Sequence, residues 1–142
     1  MAVIDRANAF YLRPVAEAGE CSAMHYDSEV ADEVQKASAI LDFGEVDPST
    51  GFKLHQASTS SIGGYVNVVT SGTAGGTVTL YHGDTLDAVD EAVPGGVITL
   101  AAGTKVASIA MPAHKRFVKA ELATLTAANT DVYIGARADV VA

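Results

Sequence analysis

Several short stretches of this chain carry residue types that could do chemistry. Gly72-Thr73-Ala74-Gly75-Gly76-Thr77 has the glycine density of a phosphate loop. It lacks the Lys that a Walker loop places after its last Gly. The residues that follow read as a strand, whereas a phosphate cradle needs a helix N-terminus. The stretch therefore reads as a hairpin loop. Asp84, Asp87 and Asp90, with Glu91, recur at three-residue spacing and could offer hard oxygen ligands to Ca²⁺. The alternating Asp/Asn pattern with a central Gly is missing, so a solvated face is the expectation. Asp27, Glu29, Asp32 and Glu33 are read the same way.

Nucleophiles and metal ligands fare no better. His25, His55, His82 and His114 lie in four separate segments, with no His-x-His or His-x₃-His pair to nucleate a zinc site. His82 falls on an apolar strand face and reads as a hydrogen-bonded or rim residue; His114 reads as a loop tip. Ser58-Thr59-Ser60-Ser61 has hydroxyls but no Gly-x-Ser-x-Gly elbow. Cys21 sits among carboxylates, which raise a thiol's pKa, and a single Cys excludes an internal disulfide framework. No catalytic residue, cofactor site or metal site is assigned, and no enzyme is expected.

His114-Lys115-Arg116, followed by Lys119, is the one basic cluster. It reads either as an exposed strand end that keeps an edge from aggregating or as a contact with an acidic neighbour. The chain as a whole carries a formal charge of −8. That disfavours non-specific nucleic-acid binding, which needs basic charge against phosphates. Ten of the 17 acidic residues, against three basic ones, fall in residues 1–47. No apolar run reaches the length of a signal-peptide core or a membrane span. The chain is therefore expected to be made as a soluble cytoplasmic product without a membrane partner.

With 142 residues, 49% hydrophobic and 18% charged, the chain can bury roughly two thirds of its surface in one core. Residues 1–37 show no clean period and are read as an acidic N-terminal arm, with one short helix over 28–36. Residues 38–142 are read as a β-sandwich domain. Strands are expected at 39–44, 65–70, 77–82, 97–101, 104–111, 116–125 and 131–140, from β-branched and aromatic runs bounded by Gly, Pro and Asn turns. Residues 57–64 read as a loop. Leu86, Val89 and Val93 share a helical spacing behind Asp84, which predicts a short helix ended by Pro94-Gly95-Gly96. Seven or eight short strands with at most one or two short helices describe an all-β antiparallel sandwich or barrel.

In order along the chain, several segments carry a resemblance. These are Ile4-Asp5-Arg6-Ala7-Asn8-Ala9-Phe10, then Ser38-Ala39-Ile40-Leu41-Asp42-Phe43-Gly44. Further on come Leu100-Ala101-Ala102-Gly103-Thr104-Lys105-Val106, Met111-Pro112, Lys115-Arg116-Phe117-Val118-Lys119-Ala120 and Asn129-Thr130-Asp131-Val132-Tyr133-Ile134-Gly135-Ala136. The chain resembles the jelly-roll capsid cement, or head decoration, proteins of tailed double-stranded DNA bacteriophages, in particular the Bordetella-phage type. The acidic stretch over 17–36 departs from that family, where this region is usually shorter and less charged.

The resemblance implies a jelly-roll sandwich that sits on the outer capsid surface of the virion and clamps adjacent major capsid subunits. It also implies a homo-oligomer, a dimer or trimer. The arm residues Ile4, Asp5, Asn8, Phe10, Tyr11 and Leu12 are the expected contacts with capsid or a sister subunit. The apolar cluster Phe10, Tyr11 and Leu12 reads otherwise as a first strand buried in its own domain. His114, Lys115, Arg116 and Lys119 form a second candidate contact patch. The competing reading is a carbohydrate- or receptor-binding sandwich. The absence of Trp and the low aromatic content argue against it, because such sites stack sugars on exposed rings.

Overall fold

A computed structural model describes residues 9–13, 37–44, 49 and 64–138. Among them are eight strands and no helix: β1 (Ala9–Tyr11), β2 (Leu41–Asp42), β3 (Tyr65–Thr70), β4 (Gly76–Gly83), β5 (Glu91–Leu100), β6 (Val106–Ala110), β7 (Phe117–Ala123) and β8 (Thr130–Gly135). They form two four-stranded antiparallel sheets, ordered β1-β8-β3-β6 and β2-β7-β4-β5. The pairings are nested: β4 with β5, β3 with β6, β2 with β7 and β1 with β8. This is one long hairpin folded at β4–β5 and wrapped so that successive pairs fall in opposite sheets, the wiring of a jelly roll. The β3–β8 and β4–β7 ladders then complete the two sheets.

The core follows from alternation. Val66 and Val68 on β3 and Val132 and Ile134 on β8 face Val78 and Leu80 on β4, Ile98 and Leu100 on β5, and Val118 and Ala120 on β7. Each strand sends every second side chain inward. Phe10, Val66, Val68, Val78, Leu80 and Val118 lose all contact with solvent.

Three sequence expectations change. First, the sandwich includes a strand upstream of residue 38, Ala9–Tyr11. The register of β1 on β8 shifts from Ala9↔Tyr133 to Tyr11↔Val132, so Phe10 is an extra residue in a β-bulge. The bulge turns both Phe10 and Tyr11 into the main core, while Ala9 and Leu12 pack with Tyr133 on the other side of the sheet. A three-residue strand with a bulge shows no period-2 signal, which is why it read as arm. Its end is fixed by Arg13. The Arg13 backbone N–H donates to Asp131 Oδ1 at 2.7 Å, and the guanidinium meets Oδ2 at 2.9 and 2.8 Å.

Second, no helix follows Asp84. Leu86 is 58% exposed while Val89 and Val93 are buried, so the three do not share a face. Pro94-Gly95-Gly96 does not end a helix; it forms a wide bulge inside β5. Thr79 pairs with Val97 and Tyr81 with Ala92, so Leu80 faces four residues of β5. The edge position of β5 accommodates a Pro that has no N–H to give. Gly95 adopts φ 74°, and a Cβ at Gly96 would come within 2.9 Å of Val93 Cβ.

Third, residues 71–76 do not close a hairpin. β3 and β4 lie in different sheets, so this is a corner. It is stitched to the β5–β6 corner: Gly103 N–H donates to Thr73 O, and Lys105 Nζ donates to Ser71 O and Gly72 O at 3.0 and 2.9 Å. The expected helix over 28–36 and nearly all of the loop over 57–64 lie outside the described residues.

Because β1 supplies core side chains, removing residues 2–12 is expected to unfold the protein. Phe10→Ala should cost about 3–5 kcal/mol in urea unfolding followed by circular dichroism. Ile40→Ala, at an exposed site, should change stability by less than about 0.5 kcal/mol. Equal stability of wild type and Phe10→Ala would show that β1 is not part of the core.

Candidate interaction surface

The expected contacts of the N-terminal segment divide in two. Ile4, Asp5 and Asn8 lie outside the described residues. Phe10, Tyr11 and Leu12 are buried in their own domain, so their side chains are not offered to a partner. That corrects the assignment for these three.

The basic cluster is brought together, but not as free positive charge. Arg116 donates from Nε to Asp42 Oδ1 at 2.7 Å and from Nη2 to Oδ2 at 3.0 Å, a two-point clamp between β2 and the start of β7. Asp42 Oδ1 also accepts Gly44 N–H at 2.9 Å. Lys115 Nζ donates to Glu91 Oε2 at 2.7 Å, with Asp84 Oδ2 at 3.8 Å. That hydrogen bond holds the Glu91 carboxyl below the usual carboxylate range and raises Lys115 above its ordinary value. Lys119 lies 3.7 Å from Glu121. The acidic residues that neutralise Lys115 and Arg116 come from β2, the 84–90 turn and β5, far away in the chain, and no local spacing announces them; only Lys119 finds its partner, Glu121, within β7.

Two of the four histidines meet beside this patch. Lys115 N–H donates to His82 Nδ1 at 3.0 Å, which places the ring proton on Nε2, 3.6 Å from Glu91 Oε1. His114 is not at a loop tip. Its ring is half-buried 4.3 Å from Phe43, and its Nδ1–H donates to Lys115 O at 2.6 Å. No three His, Cys, Asp or Glu side chains converge on a metal position among the described residues. Burial pushes the His114 pKa down; the Lys115 carbonyl opposes this and His82 adds to it. The glycine-rich corner likewise turns carbonyls, not N–H groups, toward Lys105, an arrangement that suits a cation and not a phosphate.

The two outer sheet faces differ. On β1-β8-β3-β6 the outward residues Asn67, Asp131 and Tyr133 are themselves buried. Asn67 donates to Ala136 O and accepts from Ala138 N and Ser108 Oγ, which ties the chain after β8 across this face. The outer face of β2-β7-β4-β5 is open. Its cross-strand rows are Lys119–Tyr81–Ala92, Glu121–Thr79–Val97 and Ala123–Thr77–Thr99. Val97 is 54% exposed there. The face is built from small, threonine and aromatic residues. Its one cation and one anion, Lys119 and Glu121, pair with each other, and the Arg116–Asp42 pair closes one end. Alternation in 77–82 puts Thr77, Thr79 and Tyr81 on one side, but the pairing that adds Val97 and Thr99 to them is non-local.

Comparison of the chain with protein-family models, with curated proteins and with solved structures finds no match.

The His114 environment has a pH consequence. Its folded pKa lies below the unfolded value of 6.5. As pH falls through about 6.5 the unfolded chain takes up a proton that the folded ring refuses, so stability is lost toward acid and is complete above that pH. The melting temperature should fall between pH of about 7.5 and about 5.5, and His114→Gln should flatten the fall. Parallel pH profiles for the two proteins would contradict this environment.

Proposed function

We propose that this protein is a structural virion component that binds the outer surface of a phage capsid and clamps adjacent major capsid subunits, working as a homo-oligomer. The observation that carries the reading is the open, charge-paired face of β2-β7-β4-β5 on a jelly roll whose other outer face is covered. A clamp needs a stiff body and a broad contact, not a reactive group. The two ladders supply stiffness. Internally neutralised charges let a chain of net charge −8 approach another protein at this face without strong repulsion. The face measures on the order of 400 Å² from strand spacing and rise. That is below the ~800 Å² per partner of a stable pairwise interface, so one copy holds weakly. Many copies on a repeating shell act together, and modest single-site affinity then suffices.

The carbohydrate-binding alternative loses its stacking planes here. Arg116 lies 5.0 Å over the Phe117 ring and Lys119 5.9 Å over the Tyr81 ring.

Particles assembled without this chain should release DNA at lower temperature or under osmotic shock. Thr79→Arg with Val97→Glu, both on the open face, should preserve the β-type circular dichroism spectrum and lower shell occupancy at least about tenfold, the effect of ~1.4 kcal/mol. Particles indifferent to the loss of the chain, or fully occupied by the double variant, would refute the reading.

A further inference from the structure

Strand β7 is seven residues long, whereas its neighbour β2 has two and pairs only with Phe117 and Val118. On the side away from β4, every second residue of β7 presents its N–H and C=O. Leu41 takes those of Val118. At Ala120 side chains stand in for a strand: Ser38 Oγ accepts the N–H at 3.0 Å and the Tyr11 hydroxyl donates to the C=O at 3.3 Å. Burial holds the Tyr11 phenol above its ordinary pKa, which keeps it a donor. The next residue facing this way is Leu122, and its backbone groups have no partner among the described residues. Beside it opens a groove of about 330 Å³ lined by Tyr11, Glu121, Leu122, Leu125 and Ala127.

The geometry points to this edge as a strand-addition site: an extended segment of another protein pairs with Leu122, sets one aliphatic residue into the groove and places a Lys or Arg beside Glu121. Main-chain bonds supply the attraction, and the alternate side chains supply the choice of partner. Among the described residues Glu121 is the only charged one lining the groove, with its carboxylate mostly exposed and Lys119 at 3.7 Å on one side. Residues flanking the seated one lie on the outer face next to Glu121, where opposite charges across a ladder attract and like charges repel. An acidic segment is thereby refused, which makes another copy of this acidic chain a poor occupant. The inference is independent of the capsid reading.

The test uses the full chain labelled with ¹⁵N and two capped pentapeptides, Thr-Lys-Leu-Lys-Thr and Thr-Glu-Leu-Glu-Thr. The lysine peptide should shift the amides of Leu122, Leu125 and Ala127 and slow hydrogen exchange at Leu122, with a millimolar Kd. The glutamate peptide should bind about three- to tenfold more weakly. Glu121→Lys, an exposed change that should leave the circular dichroism spectrum intact, should reverse that preference. No effect at Leu122 up to about 5 mM lysine peptide, or a preference that Glu121→Lys leaves unchanged, would overturn the proposal.

Discussion

Two sheets must be dried against each other, and nested pairing decides how. Of the seven connections in the sandwich, only β4–β5 stays within one sheet. The other six connections pass from one sheet to the other, and those among the described residues turn a corner where backbone leaves its ladder and its polar groups need other partners. The corners meet that demand locally. Thr70 N–H donates to Lys105 O, Ser71 N–H to Asn129 O and Met111 N–H to Gly64 O. Gly75, at φ 73°, passes so close to the end of β5 that a Cβ would lie 2.5 Å from Leu100 O. The inner faces are then free to be largely apolar, with the hydrogen-bonded Thr70 and Thr130 and the ring of His82 as their buried polar residues, and whatever the molecule does falls to outer faces, edges and corners.

The few cations work within that frame. Among the described residues, Arg13 anchors the end of β1 to Asp131, and Lys105 holds the carbonyls of one corner. Lys115 bridges to β5, and Arg116 ties β7 to Asp42 of β2. Lys119 pairs with Glu121, and Arg137 lies 5.8 Å over the Tyr65 ring. Each is engaged by a group of its own chain. The exposed pairs add little stability individually; Arg13–Asp131, with its carboxylate buried, is the one whose disruption would be felt. The basic cluster that stands out in the sequence is thus a clasp at one end of the sandwich.

What could be read in the sequence was local. The run 65–70 announces β3, and alternation in 77–82 announces β4, because a half-buried strand writes its two faces into every second residue. β1 escaped because three residues and a bulge carry no period. The 84–93 segment misled because Leu86, Val89 and Val93 copy a helical spacing that the bulge in β5 produces by another route. The jelly-roll order rests on non-local pairings, the longest of which joins Ala9 to Tyr133, and came only through resemblance. The same limit applies to the surface: Lys115 and Arg116 were visible, but their neutralisation depends on Asp42, Asp84 and Glu91, with Asp42 lying 74 positions from Arg116.

The proposed clamp would work by covering. Asn67, Asp131 and Tyr133 on one outer face are buried under the molecule's own chain, and the other outer face is open, with its charges paired. The most direct test of the proposed function is an electron cryo-microscopy reconstruction of phage particles assembled in the presence of this chain. The account predicts density for the sandwich on the outside of the shell, over seams between major capsid subunits, with β2-β7-β4-β5 turned toward the shell. Absence of the chain from mature particles, or a bound orientation with that face turned to solvent, would contradict it.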